Sequence, residues 1–82
     1  MAGRITQQLQ REQRAVAATL RDLRTRAGLT QKELADKLGW PLTTIQRCEA
    51  CERRIAVQEL IPLARVLGTT PERFIRAVLR RL

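Results

Sequence analysis

"TQKELADKLGWPLTTIQRCEA", residues 30–50, decides how this chain folds. Thr30 followed three places on by Glu33 is the reciprocal cap that opens a helix. Leu34, Ala35 and Leu38 then fall on one face, and Gly39 stops the helix after about three turns. Pro41 suits a first-turn position of a next helix, where its missing N–H costs nothing. That helix is expected to reach about Ala50, with Ile45 and Cys48 turned inward. Two short helices joined by a glycine-containing turn of about four residues form a unit whose second helix is offered to a partner.

Outward from this pair the helical period continues in both directions. Residues 6–27 contain no Gly or Pro, and Val16, Leu20, Leu23 and Ala27 recur at the spacing of a buried stripe, closed by Gly28. Downstream, Val57, Leu60, Leu63, Ala64 and Leu67 make another stripe, closed by Gly68; Pro62 inside it predicts a bend or a late start. Thr70 and Pro71 open a last helix with Phe74, Ile75, Val78 and Leu82 as its stripe. Arg73, Arg76 and Arg80 lie opposite and read first as a solvated face. No stretch alternates as a half-buried strand does, so the fold class is all-α with five helices.

At 82 residues the chain has material for one domain. Sixteen Lys and Arg against eight Asp and Glu give a net charge of +8, which attracts polyanions, nucleic acid first among them. Trp40 and Phe74 are the only aromatic residues, too few for the stacking faces of single-strand and RNA binders. There is no His or Tyr, only Asp22 and Asp36 as aspartates, and no nucleotide-binding loop, so an enzyme is the least expected class. No cofactor is implied. No apolar run reaches membrane-span length, and the opening "MAGRITQQLQREQ" lacks a secretory core. A cytoplasmic protein, free of the membrane, is expected.

Both cysteines fall in "QRCEACERR", residues 46–54, in a C-x-x-C spacing. A structural zinc site wants about four Cys or His ligands, and two cysteines without histidine do not supply them. A redox pair wants the N-terminal end of a helix beside a strand, whereas this pair falls at a C-terminal end, where the dipole opposes a thiolate. Cys48 reads as a small core residue and Cys51 as part of the turn that follows, so no metal is expected.

The major groove of B-DNA admits one α-helix, and base edges are told apart by side chains near its N-terminal half. "PLTTIQR" supplies Leu42, Thr43, Thr44, Gln46 and Arg47 as base-reading candidates. Arg47 suits guanine, Gln46 adenine, and Leu42 and Thr43 a thymine methyl.

Residues 20–75 resemble the phage-repressor and Cro type of helix-turn-helix domain, the xenobiotic-response-element family. The resemblance rests on "LR-x-x-R" around Leu23, "GLTQKELA" at 28–35, "TTI" at 43–45, Glu49 and "LARVLGTTPERF" at 63–74. It implies a five-helix, lambda-repressor-like DNA-binding domain over 16–82, with the helix-turn-helix at about 30–50. Residues 1–15 become an N-terminal extension, helical or partly disordered, in which Ile5 and Leu9 continue the apolar face.

The resemblance further implies that Gln31 meets phosphate at the N-terminus of the second helix, and Arg53 and Arg54 along the loop after the third. Thr30 and Lys32 join them as phosphate contacts. It also implies an Arg24–Glu49 structural ion pair. Where the family usually has Asn-Gly after the glutamate, this chain has Ala50 and Cys51, which predicts an altered turn.

The function expected is a sequence-specific, double-stranded-DNA-binding transcriptional regulator, bacterial or phage-encoded and nucleoid-associated, acting as a homodimer on an inverted repeat. Two alternatives remain open: a DNA-binding antitoxin or accessory protein that pairs with another protein through the N-terminal extension, and an interaction module of the same fold that does not bind DNA.

Overall fold

The computed structural model describes residues 2–82, with side chains from Thr6 onward. Five helices follow one another: α1 (Ala2–Arg26), α2 (Gln31–Leu38), α3 (Leu42–Glu49), α4 (Val57–Val66) and α5 (Pro71–Arg80). Among the described residues there is no strand. The expected all-α, five-helix architecture is what the chain adopts.

Helix α1 is one uninterrupted element of 25 residues that crosses position 15 without a break. Ala15, Ala17 and Leu20 are buried and Leu9 is exposed; the side chain of Ile5 lies outside the described residues. Ala27 sits past the helix end and is exposed, because the polypeptide has already turned toward Gly28. Thr19, also buried, is satisfied on both sides: its hydroxyl donates to the Ala15 carbonyl at 2.8 Å and accepts from Arg81 Nε at 3.1 Å.

The core is a single cluster built from Ala15, Leu20, Leu34, Ala35, Ile45, Cys48, Leu60, Leu63, Leu67, Phe74 and Val78. Helix α2 packs on α3 and α4, α1 on α3 and α5, and α4 on α5. The helix-turn-helix is thus held from behind by α1 and α4, which α5 braces in turn, with one face of α3 left free.

Five apolar positions depart from the sequence pattern. Val57 is 82 % exposed because it is the first residue of α4, where the stripe has not yet reached the core. Ile75 and Leu82 are 44 % and 48 % exposed, leaving Phe74 and Val78 as the buried anchors of α5. Pro41 is the residue preceding α3, with extended backbone, so the helix begins one residue later than its first-turn reading. Pro62 lies within α4, which nonetheless starts at Val57. Its N-terminus is stabilised locally, since the Glu59 carboxylate accepts from the Ala56 N–H at 2.9 Å.

The end of α3 explains the second cysteine. Cys51 has φ of 61°, the one non-glycine residue with positive φ among those described. Its N–H donates to the Cys48 carbonyl at 3.3 Å and the Glu52 N–H to the Arg47 carbonyl at 2.8 Å, the paired bonds of a left-handed helix stop. Gly39 closes α2 with the same pair of bonds, from Gly39 to Asp36 and from Trp40 to Ala35. The turn is therefore kept without its glycine, and Cys51 carries about 1–2 kcal/mol of backbone strain. Gln13 braces it from α1, donating through Nε2 to the Cys51 carbonyl at 3.0 Å. Cys51→Gly is expected to raise stability by about 0.5–1 kcal/mol, the strain relieved less the added freedom of the unfolded chain. Thermal unfolding by circular dichroism checks this; an unchanged or lower Tm would show that the side chain's contacts outweigh its strain.

Candidate nucleic-acid interface

Helix α3 divides as its period requires. Ile45 and Cys48 are buried at 0 % and 3 %, whereas Thr43, Gln46, Arg47 and Ala50 are exposed in one strip, with Leu42 and Thr44 half-buried at its edges. The free strip offers a guanidinium, a carboxamide, a hydroxyl and methyl groups, the chemical set that distinguishes base edges. Among the described residues Arg47 makes one long contact, from Nη2 to the Glu52 carbonyl at 3.5 Å, and its guanidinium is exposed.

Beside this strip stands the N-terminus of α2. Thr30 Oγ1 accepts from the Glu33 N–H at 3.0 Å while Glu33 Oε1 accepts from the Thr30 N–H at 2.8 Å. The bond from the Thr30 N–H, the larger cause, and the Thr30 side chain hold the Glu33 carboxyl below the usual carboxylate range. Gln31, the next residue, stands at the positive end of the helix dipole. Lys32 is exposed and shares its charge with Asp36 one turn on, at 3.2 Å.

Arg24 and Glu49 meet behind the strip. Arg24 Nε donates to Glu49 Oε2 at 2.6 Å and Nη2 to Oε1 at 3.1 Å, with side chains only 12 % and 6 % exposed. A third donor, Gln31 Nε2, reaches the same Oε1 at 3.1 Å, and Arg24 Nη1 donates to the Leu29 carbonyl at 2.8 Å. One carboxylate thus ties together α1, the start of α2 and the end of α3.

The loop after α3 treats its two arginines differently. Arg53 forms a fork with Glu59, Nη1 to Oε1 at 3.0 Å and Nη2 to Oε2 at 2.8 Å, and reaches the Cys48 sulfur at 3.8 Å. The guanidinium lowers the Glu59 pKa, and the pairing raises that of Arg53. Arg54 is exposed and, among the described residues, only its carbonyl is engaged, by Arg53 at 3.1 Å. Burial pushes the Cys48 thiol up, so it stays protonated and behaves as a core residue. Both cysteines are free thiols.

A sequence profile described as a helix-turn-helix domain matches residues 15–74. An XRE-family-like protein from Pseudomonas syringae pv. tomato str. DC3000 is 34 % identical, with 98 % of this chain and 96 % of that one covered and a TM-score of 0.81. The chain belongs to the XRE-like helix-turn-helix family. It is a DNA-binding transcriptional regulator and not an enzyme.

Two more distant structures share the fold with this helix-turn-helix protein. The clp gene regulator ClgR from Corynebacterium glutamicum is 20 % identical over 84 % of this chain and 73 % of its own, with a TM-score of 0.78. The wild-type restriction-modification controller protein C.Esp1396I is 21 % identical over 85 % and 92 %, also with a TM-score of 0.78. A search of curated protein sequences returned no significant match.

Two features of the helix-turn-helix face escaped the sequence. Arg21 is exposed on α1 and lines a shallow groove with Arg24, Gln31, Gln46 and Glu49. Its spacing of three from Arg24 places both on one helical face, a signal that was available. The fork between Arg53 and Glu59 was visible only as two charged residues six apart with no helix to relate them. Among the described residues no helix is long and apolar enough to cross a membrane, and no cluster of three or more potential metal ligands forms.

Proposed function

We propose that the protein is a sequence-specific regulator that binds double-stranded DNA as a homodimer on an inverted repeat, with Leu42, Thr43, Thr44, Gln46 and Arg47 reading bases. The observation that carries this is the exposed strip of α3, standing free on a helix whose other face is buried. Thr30, Gln31, Lys32 and Arg54 contact phosphate and fix register, Arg53 adds charge while Glu59 holds it in place, and Arg21 joins from α1. Arg24 and Glu49 are the structural pair that sets α3 against α2.

A single recognition helix meets too few base pairs to select one site in a genome, which favours a dimer. Ile75 and Leu79 on α5, with Leu82 just beyond its end, support one, being 44 %, 61 % and 48 % exposed at four- and three-residue spacing. Such an assembly would act in the bacterial cytoplasm, on a host or phage genome.

Selection of binding sites from random duplex tests the proposal, and an enriched inverted repeat is the expected result. On that site Arg47→Ala should cost about 1–3 kcal/mol and flatten one base preference, whereas Arg54→Ala should weaken all duplexes alike and reduce the salt slope by about two, one for each protomer of the dimer. Uniform losses for both variants in a gel-shift titration would overturn the assignment of roles.

A further inference from the structure

A second basic surface lies away from the recognition helix. Arg26, Arg73, Arg76, Arg80 and Arg81 surround an open groove of about 420 Å³ between α1 and α5, floored in part by Leu23 and Ala77. Asp22 is the one carboxylate in its lining, and it is already engaged by Arg26 at 3.2 Å and Arg81 at 3.6 Å. Arg73, Arg76 and Arg80 are exposed on one side of α5 and, among the described residues, have no ion-pair partner.

The groove is separate from the DNA-facing strip. Along α1, Gln13 and Arg24 reach toward α3, while Thr19, Asp22 and Arg26 face α5; at 3.6 residues per turn these sets lie close to opposite sides of the helix. A duplex read by α3 does not need these arginines.

We propose that this groove docks an acidic, amphipathic segment of a partner protein, carboxylates on the arginine rim and an apolar side chain on the Leu23 and Ala77 floor. Five guanidiniums held around one engaged carboxylate repel one another until an anion joins them. The apolar floor favours a peptide over a second duplex, whose phosphodiester backbone has nothing to place there. Nor does this chain supply the segment, since its eight acidic residues are nowhere closer than three apart and form no acidic run.

The test uses fluorescence anisotropy with two labelled peptides of equal length and charge, one of Glu and Leu at helical spacing and one of Glu with Ser in place of Leu. The full chain is expected to bind the first more tightly. The variant Arg73→Ala, Arg76→Ala, Arg80→Ala should lose roughly tenfold or more in peptide affinity and keep its duplex affinity. The opposite-face variant Lys32→Ala, Arg47→Ala, Arg54→Ala should do the reverse, and circular dichroism checks that both variants are folded. Equal binding of the two peptides would overturn the proposal, as would equal losses for both variants. A groove variant that loses duplex rather than peptide binding would assign the arginines to nucleic acid instead.

Discussion

Glu49→Ala should lower the melting temperature by roughly 15–25 °C, the largest single-site effect expected outside the apolar core. The substitution strands Arg24, 12 % exposed, without its carboxylate and removes the acceptor of three hydrogen bonds. Uncompensated charges of this kind cost about 3–5 kcal/mol, against a total stability on the order of 4–12 kcal/mol for a domain this size. The pair itself is a weak source of net stability, because both ions gave up water to form it. Replacing both, as Arg24→Met with Glu49→Leu, should therefore recover most of the loss. A double variant as unstable as Glu49→Ala in urea titrations would show that the ions contribute more than mutual compensation.

Raising salt from 50 to 200 mM should weaken binding to the selected DNA site by about 10²–10³-fold. Lys32 and Arg54, with Arg53 or Arg21 beside them, give about two to three charged contacts per protomer, hence about four to six in a dimer. Counterion release then gives a slope of log affinity against log salt near −4 to −5. Fluorescence titrations across that range measure it. A slope shallower than about −2 would mean that most of these cations do not meet phosphate.

Most of the fold was readable in the sequence because its punctuation is local. Thr30 with Glu33, Gly39, Thr70 with Pro71 and Gly68 mark helix ends through bonds that each segment makes with itself, and each stands where it was expected. Burial at the edges was less legible. Val57 and Ile75 obey the helical period, yet whether a residue at the margin of a stripe is covered depends on the crossing angle of its neighbour, which no local pattern encodes. The turn at Cys51 departs from expectation for a related reason. A missing glycine predicts a different loop when only backbone preference is weighed, but Gln13, far away in sequence, braces the carbonyl and the strained turn is kept. At the interface, period alone separated Gln46 and Arg47 from Ile45 and Cys48. What it could not supply was the fork that occupies Arg53, since that requires knowing how the loop folds back on α4.

Glu49 has one more consequence, for the timing of recognition. Its carboxylate already holds the Gln31 amide at 3.1 Å, and that amide nitrogen has a second hydrogen left for another acceptor. Glu59 likewise holds Arg53 before any duplex arrives. Side chains fixed in advance lose little rotamer freedom when they dock, so encounter resembles two rigid bodies meeting. Association is then governed by charge and nearly alike for every sequence, and the right site is distinguished by how long the protein stays on it.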